Sequence, residues 1–251
     1  MNKTIEIQKG HKTIREFKEK SISKEIMDEL FEVAKSTATS NGMQTYSIIR
    51  ITDKDLKEKI SKVCNQEYVA RAPELLIFIV DQYRNSQIAI EKGLNFDDTN
   101  DLDKFFQGFT DASLAAQNMV VAAESLGLGA NYLGSILNDP KEMCNLLELP
   151  KLTFPVVGIG IGYPNQDPQL KPRMNMDKRV FENKYNKFPN YLDELKDYDE
   201  VMQTYYDLRD ANNRVDSFTD QVETKTRLTI KKRKEILNVV KDQGFDLMLK
   251  D

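Results

Sequence analysis

Between Asp103 and Leu126 the chain carries one long helical pattern whose apolar residues run most of the way round the helix. Leu114, Ala115, Ala116, Met119, Val120, Ala122 and Ala123 spread too widely to face a single core. Such a helix belongs at the centre of a fold or in a subunit interface, and Gly127 supplies its stop signal. On either side of it lie apolar runs with the length of buried strands: LLIFIV at 75–80, bounded by Pro73 and Asp81, and FPVVGIGIGY at 154–163. YSIIRI at 46–51 is rich in β-branched residues and reads as a third strand.

Between these come amphipathic helices. Ser23 caps KEIMDELFEVAKS, with Ile26, Leu30 and Val33 on one stripe widened by Met27. TDKDLKEKISKV is opened by Thr52 or Asp53, and Asp139-Pro140 opens a short helix. TATSNGMQ reads as a loop, Asn131–Ile136 as a Gly-flanked turn, and Tyr83–Asp101 as a polar, mobile excursion. After Gly162 the chain turns polar and Pro-rich; beyond about residue 185 it is charged, with helical patterns over 192–209 and 218–240. The order is not a regular βαβ alternation, so the expected class is α+β.

The 251 residues carry 36 Lys or Arg against 40 Asp or Glu. That mild acidity, with 30% charged and 40% hydrophobic residues, describes a soluble globular protein and argues against a surface built for nucleic acid. No stretch approaches the roughly 18 to 20 apolar residues of a membrane span. The first ten residues lack the apolar core of a signal peptide, and two cysteines without CxxC spacing suggest a reducing cytoplasm. With a single histidine, a His-based metal site or a Ser/His/Asp triad must use His11 or not exist; no metal is expected.

Several clusters could carry chemistry. Gly158, Gly160 and Gly162 spell GxGxG, but inside an apolar strand, where glycine lets another backbone or a flat ligand approach. His11-Lys12-Thr13-Ile14-Arg15 gathers cations and a hydroxyl suited to phosphate, against the alternative of a solvated charge run. Lys171-Pro172-Arg173 is a stiffened cationic pair. Thr39-Ser40-Asn41 with Gln44, and Asn65-Gln66, offer donors and acceptors for a flat heterocycle, or simple turns. Six cations, Lys225, Arg227, Lys231, Lys232, Arg233 and Lys234, fall within ten residues; helix-like apolar interruptions favour a solvated helix face over a polyanion site.

Taken together these pieces resemble one family. His11–Arg15 is similar to the N-terminal HRSIR motif of the flavin-dependent nitroreductases, in particular the oxygen-insensitive NADPH nitroreductase and NADPH:flavin oxidoreductase branch. TATSNGMQTYSIIRITD, NQEYVARAPELLIFIVD, AAQNMVVAAESLGLGANYLGSILND, GYPNQDPQLKPRMN and NNRVDSFTDQV follow in the family's order, so the likeness covers nearly the whole chain. It implies a mostly antiparallel central sheet flanked by helices, in an intertwined homodimer with FMN at the interface. An FMN-binding core over 1–185 and a C-terminal helical extension over 186–251, packed on the core or on the partner, are expected. The long helix would then pack against its partner.

The resemblance assigns His11, Lys12, Thr13 and Arg15 to the FMN phosphate and ribityl chain, with Lys171 and Arg173 at the same phosphate or near the pyrimidine edge. Thr39, Ser40 and Asn41 should line the cofactor from the partner subunit, and Gln66 should bond the pyrimidine edge. Tyr132, Leu133, Gly134 and Ser135 should cover the ring near its reactive nitrogen. Arg209 and Arg214 match positions where the 2′-phosphate of NADPH docks. The implied activity is ping-pong hydride transfer from NADPH through FMN to nitroaromatics, quinones or free flavin, in the cytoplasm, with no nucleic-acid or membrane partner. Alternatives are an FMN carrier or sensor without turnover, and a polyanion-binding protein. Departures from the family pattern are Lys12 and Thr13 in the first motif, Gly42, Ser135 in place of the second glycine of YIGG, and Asn175 in place of the proline of KPRLP.

Overall fold

A computed structural model describes residues 2–205 and 216–248. The described chain divides into two units, one of residues 2–166 with 230–248 and one of residues 167–205 with 216–229.

The first unit is built on a four-stranded antiparallel sheet in the order β1-β2-β4-β3, with β1 Tyr46–Ile51, β2 Glu74–Asp81, β3 Gly129–Leu133 and β4 Thr153–Gly162. β2 and β4 occupy the middle, which explains their continuous apolar runs: every residue of β2 from Glu74 to Val80 is buried. Pro155 in β4, which has no N–H to donate, sits where the register between β2 and β4 shifts beside Phe78 and Ile79. Side chains, not another backbone or a flat ligand, fill the space above the β4 glycines. A Cβ on Gly158 would meet Leu133, on Gly160 the Asn131 side chain at 2.4 Å, and on Gly162 the rings of Phe17 and Pro73.

Around the sheet lie α1 (Lys3–Lys9), α2 (Lys24–Lys35), α3 (Lys54–Cys64), α4 (Tyr83–Glu91), α5 (Leu102–Ser125), α6 (Pro140–Leu146) and α9 (Ile236–Asp242). The expected caps are present: Ser23, Asp53 and Asp139 each accept from a backbone N–H in the first turn of α2, α3 and α6. α5 buries Phe105, Gly108, Ala112, Ala115, Ala116, Met119, Val120 and Ala123 against the sheet and α2. Its other side is open, with Phe106 57% and Leu114 47% exposed.

Three expectations are corrected. The stretch 83–101 is not a mobile excursion: it contains α4 and a 3-10 turn, Phe96–Asp98. Buried Ser86 shares a 2.8 Å hydroxyl contact with Thr99, and Gln82 Nε2 donates to the Thr99 carbonyl, so polar residues pin the segment inward. Asn131–Ile136 is not simply a turn, because its first half is β3, paired with β4 out to Gly129↔Gly162. The helical pattern at 218–240 is broken: α8 (Phe218–Arg227) ends, Lys232–Glu235 is a 3-10 turn, and α9 begins at Ile236.

The second unit contains α7 (Tyr191–Gln203), capped by Asn190, and α8. They are joined by the Tyr198–Phe218 ring pair, centroids 5.2 Å apart, and by Thr219 donating through its N–H and hydroxyl to Asp199. The boundary expected at residue 185 falls inside this unit, and residues 230–248 group with the first. Among the described residues no helix is long and apolar enough to cross a membrane.

Candidate functional site

The cationic segment after α1 is held as an extra extended stretch along the edge of the sheet. Thr13 forms a parallel bridge to Ala130, and the Ile14 N–H donates to the Ala130 carbonyl at 3.0 Å. Gly129 leaves room for this approach, since a Cβ there would lie 2.6 Å from the Ile14 side chain. The backbone N–H groups of Arg15 and Glu16 both donate to Gln166 Oε1, and Phe17 bridges to Pro164. With its backbone anchored at both ends, the segment presents His11, Lys12, Thr13 and Arg15 from a fixed frame.

His11 Nδ1 lies 2.5 Å from Glu124 Oε1 on α5, with both groups partly buried. The guanidinium carbon of Arg15 stands 5.9 Å from the centroid of Tyr68, and Arg15 Nε is buried without a hydrogen-bond partner among the described residues. A buried guanidinium N–H with no acceptor is costly and uncommon, a cost that an anionic acceptor would relieve.

Gln66 follows Asn65, whose left-handed φ of 52° ends α3 and turns the chain towards β2. The Ser135 hydroxyl donates to Gln66 Oε1 at 2.8 Å, so the segment at 66 and the end of β3 meet. Burial pushes the Cys64 thiol up, and a hydrogen bond with the same Ser135 hydroxyl works against that push. Tyr132 donates to Gln117 Oε1 at 2.8 Å, and burial, with the nearby Glu124 charge, pushes its phenol up. Leu133 is buried, whereas Gly134 is exposed and a Cβ there would meet nothing. Thus His11–Arg15, Gln66 and Tyr132–Ser135, widely separated in sequence, are joined by backbone and side-chain hydrogen bonds. Cations, a hydroxyl, a carboxamide and open backbone around Gly134 form a donor set that fits FMN, with its dianionic phosphate and hydrogen-bonding ring edge.

Thr39, Ser40 and Asn41 lie elsewhere on the first unit. Ser40 donates through its N–H and hydroxyl to Asp111 Oδ1 on α5, and Asn41 takes a left-handed φ of 53° beside half-buried Thr39. Asp111 and Glu124 are 13 residues apart on α5, roughly 20 Å along the helix. Ser40 is therefore not gathered with His11. Lys171 and Arg173 belong to the second unit, where Arg173 Nη1 donates to the Lys171 carbonyl at 2.6 Å. Arg209 and Arg214 lie outside the described residues.

Sequence reasoning missed four residues. Glu124, Tyr68 and Asp111 contact expected site residues, and a carboxylate within an apolar helix was the available signal for Glu124 and Asp111. Arg233 was read as part of a solvated helix face. It instead sits in a 3-10 turn, donating from Nη1 to the Gly134 carbonyl at 3.1 Å, while neighbouring Lys232 pairs with Asp139. Nothing in the local sequence distinguishes it from the other basic residues.

The chain matches the nitroreductase family model over residues 9–163, and the model of that family's C-terminal domain over residues 171–248. It is 35% identical to the oxygen-insensitive NADPH nitroreductase of Salmonella typhimurium, covering 98% of this chain and 99% of the relative. It is 33% identical to the FMN reductase (NADPH) of Bacillus subtilis, with the same coverage. Among solved structures, NfrA2 of B. megaterium superimposes with a TM-score of 0.90 at 31% identity, covering 99% of this chain and all of the other. By motif order, antiparallel sheet and length-wide similarity, the chain belongs to the nitroreductase family.

Proposed function

We propose that this protein is an FMN-dependent NADPH oxidoreductase, a cytoplasmic homodimer that reduces nitroaromatics, quinones or free flavin by ping-pong transfer. One observation carries the reading: the bridge from Thr13 to Ala130 sets the cationic segment beside the strand that ends in Tyr132–Ser135, with Arg15 Nε buried and unpartnered. His11, Lys12, Thr13 and Arg15 would hold the FMN phosphate and ribityl chain, with the His11 ring fixed from α5 by Glu124. Gln66 and the backbone of Leu133–Ser135 would line the ring, where fixed donors favour the anion of the reduced state. The chemistry that FMN supplies when bound is hydride uptake from NADPH and release to the acceptor. Lys171 and Arg173 as flavin contacts, and Arg209 and Arg214 as contacts of the NADPH phosphate, enter the proposal from the family resemblance alone.

Two features support the dimer. The open face of α5, with Phe106 and Leu114, and a cavity of about 430 Å³ lined by Ile26, Leu30, Val33, Ala122 and Leu126 need a cover. The separation of Ser40 from His11 along α5 also makes sense if Thr39, Ser40 and Asn41 serve the site of the other subunit. The free, buried cysteines Cys64 and Cys144 suit a reducing compartment.

The test is spectroscopic. The purified protein should be yellow with bound FMN, bleach on anaerobic addition of NADPH, regain colour with a quinone and elute as a dimer. A yellow protein that NADPH leaves unbleached would be a carrier, and one that takes up no FMN would refute the flavin assignment.

A further inference from the structure

Where the family pattern has a second glycine, this chain has a hydroxyl, and that hydroxyl is engaged. Ser135 Oγ lies 2.8 Å from Gln66 Oε1, across 69 residues of sequence. An amide oxygen only accepts, so the hydrogen between the two is the serine's. The carboxamide has two unlike ends, and a half-turn about its last bond would bring Nε2 to the serine instead. The structure places Oε1, not Nε2, against the serine oxygen. Nε2 is then left with both its hydrogens, and among the described residues it meets no acceptor.

We infer that Ser135 is a positioning residue that holds the Gln66 carboxamide with its N–H donors turned to the flavin ring. This rests on the flavin reading above. A free glutamine side chain offers a carbonyl or an amino group to a ring edge with little preference, and ordering it on binding costs side-chain entropy. A tethered one offers donors only. Fixed donors at the pyrimidine edge stabilise negative charge there, so they favour reduced flavin over oxidised and raise the flavin's potential. The serine thus does in this chain what a glycine at the same place cannot.

The experiment compares FMN-loaded wild type with Ser135→Ala, Ser135→Thr and Gln66→Ala, reading FMN dissociation constants and the midpoint potential of the bound flavin. In Ser135→Ala, affinity for reduced FMN should fall about tenfold more than affinity for oxidised FMN, which for a two-electron couple lowers the potential by about 30 mV. Ser135→Thr keeps the hydroxyl and should restore the wild-type potential. Adding Ser135→Ala to Gln66→Ala should change nothing further. A potential in Ser135→Ala equal to wild type, or full additivity of the two alanine changes, would overturn the inference. Those outcomes leave the flavin reading standing; a wild type that binds no FMN would remove both.

Discussion

Replacing Asp111 with alanine removes a carboxylate that is wholly buried on α5 and organises the loop carrying Ser40 and Asn41. Oδ1 accepts from Ser40 N and Oγ at 2.8 and 3.0 Å, and Oδ2 accepts from Thr45 N and Oγ1 at 3.2 and 2.9 Å. Thr45 is itself buried, so its two donors would be left without acceptors, at about 1–3 kcal/mol each. Ser40 is only half-buried and its donors can turn to water, adding about 1 kcal/mol in total. Removing a buried charge recovers part of its desolvation cost. Release of the left-handed backbone at Asn41 and Gln44 recovers about another 1 kcal/mol. The net expected loss is about 3 kcal/mol, which lowers the melting temperature by roughly 6–12 °C in a chain of this size.

Asp111→Asn keeps one acceptor oxygen but sets an NH2 against a backbone N–H, so about half that loss is expected. The assay is urea unfolding at one fixed protein concentration, since subunit association would shift the midpoint with concentration. Limited proteolysis of the 39–45 loop provides a local readout. An alanine variant within about 0.5 kcal/mol of wild type, or an asparagine variant as damaged as alanine, would show that this carboxylate does not organise the loop.

Arg15→Ala should weaken FMN binding about 10- to 100-fold, by loss of a charge-assisted hydrogen bond. The urea midpoint of the apoprotein should hold, because the backbone anchor to Gln166 remains; unchanged flavin affinity, read by fluorescence titration, would displace the phosphate from Arg15. Gly160→Ala should destabilise the fold by about 1–3 kcal/mol, because the added methyl meets Asn131 Oδ1 at 2.4 Å. Asn131→Ala in the same chain should recover most of that loss, and a double variant no more stable than Gly160→Ala would refute the clash. Burial pushes the Cys144 thiol up to about 12. The folded state therefore keeps this proton after the unfolded chain, near pH 9, has lost it, and stability falls as pH rises from about 9 to about 12. In Cys144→Ala that fall should be shallower by up to about 1.4 kcal/mol per pH unit, and equal slopes would show that the thiol does not contribute.

How much of this was legible from residue order varied with the range of the forces involved. β1, β2 and β4 match their apolar runs to within about a residue, and Ser23, Asp53 and Asp139 sit at the caps their spacing predicts. These features depend on periodicity and on hydrogen bonds between residues a few positions apart. The stretch 83–101 misled because polar residues ordinarily mark solvent. Here Gln82, Ser86 and Thr99 satisfy one another inside the protein, which composition does not reveal. β3 was hidden for a related reason: a short Gly-flanked segment becomes a strand only because β4 lies alongside to pair with it. The candidate site was named through motifs matched to a family, and the proximity of those motifs was invisible.

Sequence by itself determined the α+β class, the central strands, the capped helices and a set of cation- and amide-bearing segments, because each is written in local spacing and side-chain type. Only tertiary structure decided that His11 meets Glu124, that Arg15 Nε is buried unpaired, that Ser135 holds Gln66 and that Arg233 returns to Gly134. Those contacts join residues separated by tens of positions. Their formation depends on how the helices pack against the sheet, a sum of many small burial terms to which no single stretch of the chain gives access.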